Sequence, residues 1–274
     1  MILSCPVCRR ERHAPATDWI SGSAYHCCST CGVEFAEPVP PAEVFPDFSA
    51  YGDHLLARAH EPYVIDDHEQ PSEFHARRWA HTRLPQGSHV LEFFAECGRF
   101  AWIMRREGYV VRTVDPLEAH TSVLRKHGFE SVTGQLDAVP VDWPAPAAIF
   151  ILESIVRVRA PRALIEGIRT RWPGALLYLT APSLRRSLKL PTVTGRGYLP
   201  PDFITRWEPS SLRHLLEQSG YCASSGTISP MLVRRIPPTR WKRRLFNLAL
   251  TFPLRLNGEY AFSEWAAGAP SSNR

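Results

Sequence analysis

At 274 residues the chain holds one domain of ordinary size with a small module beside it, and 44% hydrophobic residues suffice for a core. Its net charge of +5 is spread over many arginines, which reads as a solvated surface; with no basic stripe interleaved with stacking aromatics, no nucleic-acid partner is expected. No apolar run approaches the ~20 residues that span a bilayer, and a Cys-x-x-Cys interrupts the N-terminus before a signal-peptide core forms, so the expected location is cytoplasmic and reducing.

Seven cysteines are too few for a disulfide scaffold, and their clustering points to metal. Cys5-Pro-Val-Cys8 and Cys28-Ser-Thr-Cys31-Gly32 each read as a zinc knuckle. Together they offer four thiolates at tetrahedral geometry, a closed structural Zn2+ site in a ribbon spanning 1–40. Cys27 and His26 are adjacent alternatives, which the Cys-x-x-Cys-Gly spacing disfavours. Loss of the metal is expected to unfold the ribbon and leave the rest folded. Cys97 and Cys222 stand alone and read as buried small hydrophobes.

The proline-rich stretch 37–46 reads as a linker, and 41–84 as linker plus lid helices. Within it Ser72–Trp79 has the pattern of an amphipathic helix capped near Ser72. His54, His60, His68, His75 and His81 read as surface histidines, one of them a candidate base reaching a pocket from the lid side.

Ser88–Pro116 is the centre of the pattern. An apolar run (Val90, Leu91, Phe93, Phe94) breaks at Gly98, continues at helical period through Phe100, Ile103 and Met104, and returns to a second apolar run ending in Asp115. So short a crossover requires parallel strands and a right-handed connection, the opening βαβ of a doubly wound sheet. Ligands in such sheets lie beyond the carboxyl ends of the strands, which puts Glu92 to Gly98 and Asp115 at the pocket.

Further along, 119–127 is a helix closed by Gly128, 129–134 a third strand, 148–154 a fourth and nearly continuously apolar strand, and 162–171 a helix. The stretch 183–205 reads as a long loop near the pocket, and 209–219 as a Pro-started helix ended by Gly220. The stretch from Arg234 to Phe252 reads as a basic amphipathic helix, open to packing on the sheet, to a membrane or partner, or to nucleic acid, and 268–274 is expected to be disordered.

The segment Val90-Leu91-Glu92-Phe93-Phe94-Ala95-Glu96-Cys97-Gly98 resembles motif I of the class I S-adenosylmethionine (SAM) methyltransferases, a strand ending in an acid followed by Gly-x-Gly-x-Gly, with Phe94 and Glu96 in place of the first two glycines. Asp115 matches the acid that takes the ribose hydroxyls. Gln135 stands in Gln-Leu-Asp-Ala-Val-Pro, at the family's adenine-side acid. Glu153 lies in a segment that resembles the end of the fourth strand, where Arg157 replaces the usual histidine, and Trp172–Pro182 resembles the Pro-Gly-Gly-x-Leu turn and fifth strand. The resemblance also implies that the basic tail helix packs on the sheet and that Glu259–Trp265 is the last strand. The resemblance implies an α/β fold, a doubly wound Rossmann-like methyltransferase sheet over 85–267, behind the zinc ribbon. It implies SAM as cofactor, contacted by Glu92, Glu96, Gly98, Asp115, Gln135 and Glu153, and methyl transfer to a small-molecule acceptor of sugar or secondary-metabolite type. Arg157 cannot act as a base, so no catalytic residue is assigned. The alternative is a pseudo-methyltransferase that keeps the fold for ligand binding or scaffolding, because Phe94 and Glu96 intrude where the backbone must approach the cofactor.

Overall fold

The computed structural model describes residues 4–11, 19–20, 23–38, 45–61, 69–182, 203–228 and 263–271. The central βαβ forms as the pattern requires. Strand β4 (His89–Phe93) leads into helix α3 (Arg99–Arg106), which buries Phe100, Ile103 and Met104, and strand β5 (Val110–Asp115) returns parallel to β4 with Phe93 opposite Val114. The turn between them depends on Gly98, whose φ is 72° and where an added Cβ would lie 2.4 Å from the Leu124 side chain.

Strands β6 (Glu130–Thr133), β7 (Ala148–Ile151) and β8 (Leu176–Pro182) extend the parallel part, and β10 (Tyr221–Ile228) and β11 (Ser263–Pro270) complete a sheet of order β10-β11-β8-β7-β4-β5-β6. The late strand β11 is inserted antiparallel between β8 and β10. Both faces are covered. On one, Ile149, Ile151 and Leu177 pack with α5 (Pro161–Arg171) and α6 (Pro209–Gln218); on the other, Val90, Phe150 and Tyr178 pack with α2 (Pro71–His81), α3 and α4 (Glu118–Lys126). Helix α1 (Ser49–Ala57) lies against α4 and α3, within the stretch read from sequence as lid.

The small sheet has order β1-β2-β3-β9, built from β1 (Trp19–Ile20), β2 (Ser23–Cys27) and β3 (Glu34–Glu37) with β9 (Thr205–Arg206) added from far along the chain. This corrects one expectation, since Thr205 is strand and not the end of a loop. Val7, Val33 and Phe35 of the ribbon belong to the same buried cluster as Leu91, Phe93 and Trp207.

Other departures are local. Helix α2 is capped at Gln70, not near Ser72, because Pro71 takes the first helical position and Glu73 closes a capping box onto the Gln70 N–H at 2.7 Å. Strand β11 runs through Gly268 to Pro270, so Gly268 is paired with Ala223 where a disordered end was expected. Cys97 is buried as read, but Cys222 is exposed, pointing outward from edge strand β10. His68, the loop 183–202, the basic segment from Arg234 to Phe252 and the start of the expected last strand lie outside the described residues. No helix among the described residues is long and apolar enough to cross a membrane.

Candidate functional site

The two Cys-x-x-Cys turns meet as their spacing requires. Cys5 and Cys31 Sγ atoms are 3.6 Å apart, those of Cys8 and Cys28 3.4 Å, and all four lie within 4.8 Å of one another. Four sulfurs about 2.3 Å from a tetrahedral centre stand about 3.8 Å apart, so the set matches zinc-ligand geometry. Each turn closes through a left-handed residue after its second cysteine, Arg9 at φ 59° and Gly32 at φ 73°, with the Arg9 and Gly32 N–H groups donating to the Cys5 and Cys28 carbonyls. Cys27 is at the end of β2 and outside the cluster, as is His26.

The loop after β4 keeps an unusual backbone. Phe94, Glu96 and Gly98 have φ of 60°, 48° and 72°, so the left-handed conformation persists at all three glycine positions of the resembled motif although two now carry side chains. Such non-glycine residues cost on the order of 1 kcal/mol each or more and persist only where surroundings hold them. Phe94 is held by Phe45, stacked at 5.4 Å and 9°. Glu96 turns its carboxylate to Arg157 Nη1 at 3.4 Å and Ser154 Oγ at 3.3 Å, and burial still raises its pKa. Helix α1 closes over the loop: a Cβ on Gly52 would lie 3.0 Å from the Cys97 backbone.

Asp115 ends β5 at the expected place, but its carboxylate is engaged from within the chain. Its Oδ2 accepts the Glu96 N–H at 2.9 Å; its Oδ1 accepts the Leu117 N–H at 2.9 Å and the ring of His120 at 2.9 Å. The Phe48 N–H donates to His120 Nε2 at 2.9 Å, so Nδ1 carries the proton donated to Asp115. Phe48 stacks on the same ring.

Glu92, Glu96 and Glu153 come together around an open cavity of about 50 Å³ at the carboxyl ends of β4 and β7, joined by Glu73 and Arg99. Gly98 shapes the turn beside it. Gln135 does not reach it; it is exposed beyond β6, at the sheet's outer edge. Sequence reasoning missed Glu73, whose two oxygens accept Arg99 Nε at 2.9 and 2.8 Å, and His120. Both signals were there in part, since Glu73 follows Gln70 at the capping-box interval and His120 stands in the first turns of a helix right after Asp115. None of His54, His60, His75 and His81 lines the cavity; His75 instead bonds the Tyr178 hydroxyl at 2.6 Å.

Burial pushes the Glu92 carboxyl well above its ordinary range and Glu153 to about 7, in the latter case against opposing hydroxyls of Ser263, Thr180 and Ser72. Glu153 also has a left-handed backbone, φ 58°. The folded pKa of Glu153 exceeds its unfolded value, so the folded chain binds more protons between about pH 4.5 and 7 and its stability falls as pH rises through that window. At full development the cost is about 3 kcal/mol. Glu153→Gln should therefore raise the urea midpoint at pH 8 and leave it near wild type at pH 4.5. A difference between the two proteins that does not change with pH would reject this.

No protein-family model matches the chain, and no curated protein matches it in sequence. Among solved structures it is similar to a chain in the complex between the Haloferax volcanii Trm112 methyltransferase activator and a methyltransferase, with 14% identity and a TM-score of 0.56 over 83% of this chain and 98% of that one. It is also similar to the plantazolicin methyltransferase BpumL in complex with S-adenosylhomocysteine (SAH), with 12% identity and a TM-score of 0.50 over 81% and 96% of the two chains. A SAM-dependent methyltransferase from Mesorhizobium loti matches at 14% identity and a TM-score of 0.50 over 72% and 97%. The chain thus has the Rossmann-like fold of methyltransferases with a four-cysteine cluster at its N-terminal end.

Proposed function

We propose that the chain is a methyltransferase-fold protein that no longer uses SAM and serves in ligand binding, with a structural zinc in its ribbon. Asp115 carries this reading. The acid at the ribose position is 1% exposed and already accepts three internal hydrogen bonds, so ribose hydroxyls would have to displace Glu96, Leu117 or His120. The other residues fit the cofactor no better as they stand. Phe94 under Phe45 fills the first glycine position, and the Glu96 side chain, held by Arg157 and Ser154, fills the second. Zinc, by contrast, fits. Cys5, Cys8, Cys28 and Cys31 would hold it as thiolates with no open coordination position, which suits a structural ion and not a catalytic one.

A second reading, SAM-dependent methyl transfer to a small-molecule acceptor of sugar or secondary-metabolite type, is favoured by one observation, the left-handed backbone kept at Phe94, Glu96 and Gly98. In it Glu92, Glu96, Gly98, Asp115, Gln135 and Glu153 would contact the cofactor once α1 and the preceding residues withdrew. Isothermal titration of SAM and SAH into wild type and into the Phe94→Gly, Glu96→Gly double variant separates the two. With the cleft closed, neither protein binds more tightly than about 1 mM. Micromolar binding to wild type overturns the closed-cleft reading, and binding that appears only with the glycines restored identifies a damaged cofactor site in place of a rebuilt one.

A further inference from the structure

We propose that the cavity at the carboxyl ends of β4 and β7 is a binding site for a small organic cation, a primary ammonium ion held between Glu92 and Glu153. The inference rests on the reading that the cleft does not take a nucleoside cofactor, and it names the class of ligand the cleft would take instead.

Four carboxyl groups line the cavity against a single arginine. Two of them are already answered. Glu73 is paired with Arg99, and Glu96 with Arg157 and Ser154. For Glu92 and Glu153 one oxygen each, Glu92 Oε2 and Glu153 Oε1, is buried without a hydrogen-bond partner among the described residues. Glu92 is only 4% exposed, so bulk water does not solvate it. An orphaned carboxyl oxygen in such a place is costly, and a ligand with a positive charge and several N–H donors, seated in the cavity that both residues line, would answer it. Phe94 and Phe100 add aromatic lining of the kind that favours a cation, and Ala95 and Leu152 offer apolar surface to a short alkyl chain.

A divalent metal fits less well. Among the described residues the four cysteines are the only group of three or more His, Cys, Asp or Glu side chains whose ligand atoms lie within 4.8 Å of one another, so the carboxylates do not converge on a common point. The cavity is small, about 50 Å³ and partly open to solvent, which limits its occupant to a molecule the size of an amine of a few carbons.

The test is isothermal titration of n-butylamine into the full-length protein, with butan-1-ol, tetramethylammonium and Mg2+ as comparisons, and with the Glu92→Gln and Glu153→Gln variants. Butylamine is expected to bind one per chain, about tenfold or more tighter than the uncharged alcohol or the donor-less tetramethylammonium, and either variant should weaken it about tenfold. Butylamine that does not bind, that binds no better than the alcohol, or that keeps its affinity in Glu92→Gln overturns the site, as does tighter binding of Mg2+. If a variant fails to fold, the thermal shift of wild type by the same four solutes decides by their ranking. SAH is titrated in parallel. Its binding overturns the closed-cleft reading and, with it, the amine site that rests on that reading; failure of butylamine with SAH also silent overturns the amine site and leaves the closed cleft standing.

Discussion

Cys28→Ser with Cys31→Ser should strip the protein of its zinc and unfold the α/β sheet together with the ribbon. A ribbon with its own small core would melt alone, but this one shares its interior with the sheet: Val7, Val33 and Phe35 join the cluster that holds Leu91, Phe93, Trp207 and Leu212. Strand β3 pairs with β9, whose Arg206 is 2% exposed beneath the Tyr25 ring at 3.5 Å and bonds Glu34 at 3.3 Å. Losing the ribbon would expose this arginine's surroundings and Trp207, the largest fully buried side chain among the described residues. Structural zinc supplies up to roughly 10–16 kcal/mol in small domains, comparable with the whole stability of a typical protein at about 5–15 kcal/mol. Elemental analysis with thermal melts followed in the far and near ultraviolet checks it. Full zinc content in the double variant, or a separate transition in which the sheet melts at the wild-type temperature, would sink the prediction.

Glu73→Gln should lower the melting temperature by about 6–20 °C, from a loss of about 3–5 kcal/mol at roughly 2–4 °C per kcal/mol for a chain of this size. The Glu73 and Arg99 side chains are 8% and 10% exposed, and Arg99 Nε bonds both carboxylate oxygens. The amide cannot offset the buried guanidinium, and it also weakens the capping contact to Gln70 that starts α2. Replacing both partners, Glu73→Leu with Arg99→Met, leaves no buried charge and should recover most of the loss. A single variant that melts within about 2 °C of wild type, or a double variant worse than the single, would contradict this.

Glu96 was legible as a side chain intruding on the cofactor turn; that its carboxylate meets Arg157 was not, a residue far along the chain that stands where the family's histidine would be and whose guanidinium also lies over Phe203 at 5.2 Å. Asp115 was legible as the acid ending a strand, while its occupancy by His120, and through it by Phe48, was not.

By itself the sequence determined the parts whose causes are local. The two Cys-x-x-Cys turns carry their own ligand spacing, the runs at Val90–Phe93 and Val110–Asp115 carry strand and crossover, and Gly98 and Gly128 mark turns because only a residue without Cβ takes those φ values cheaply. Only the tertiary structure decided what the site contains. That Phe45 stacks on Phe94, that Thr205 and Arg206 pair with the ribbon strand β3, and that Glu92 and Glu153 line one cavity, each with an oxygen unpartnered among the described residues, are relations between segments distant in the chain. Periodicity and spacing report a residue's face on its own element; the partner across the gap, which sets charge, burial and access, is chosen by the packing of the whole.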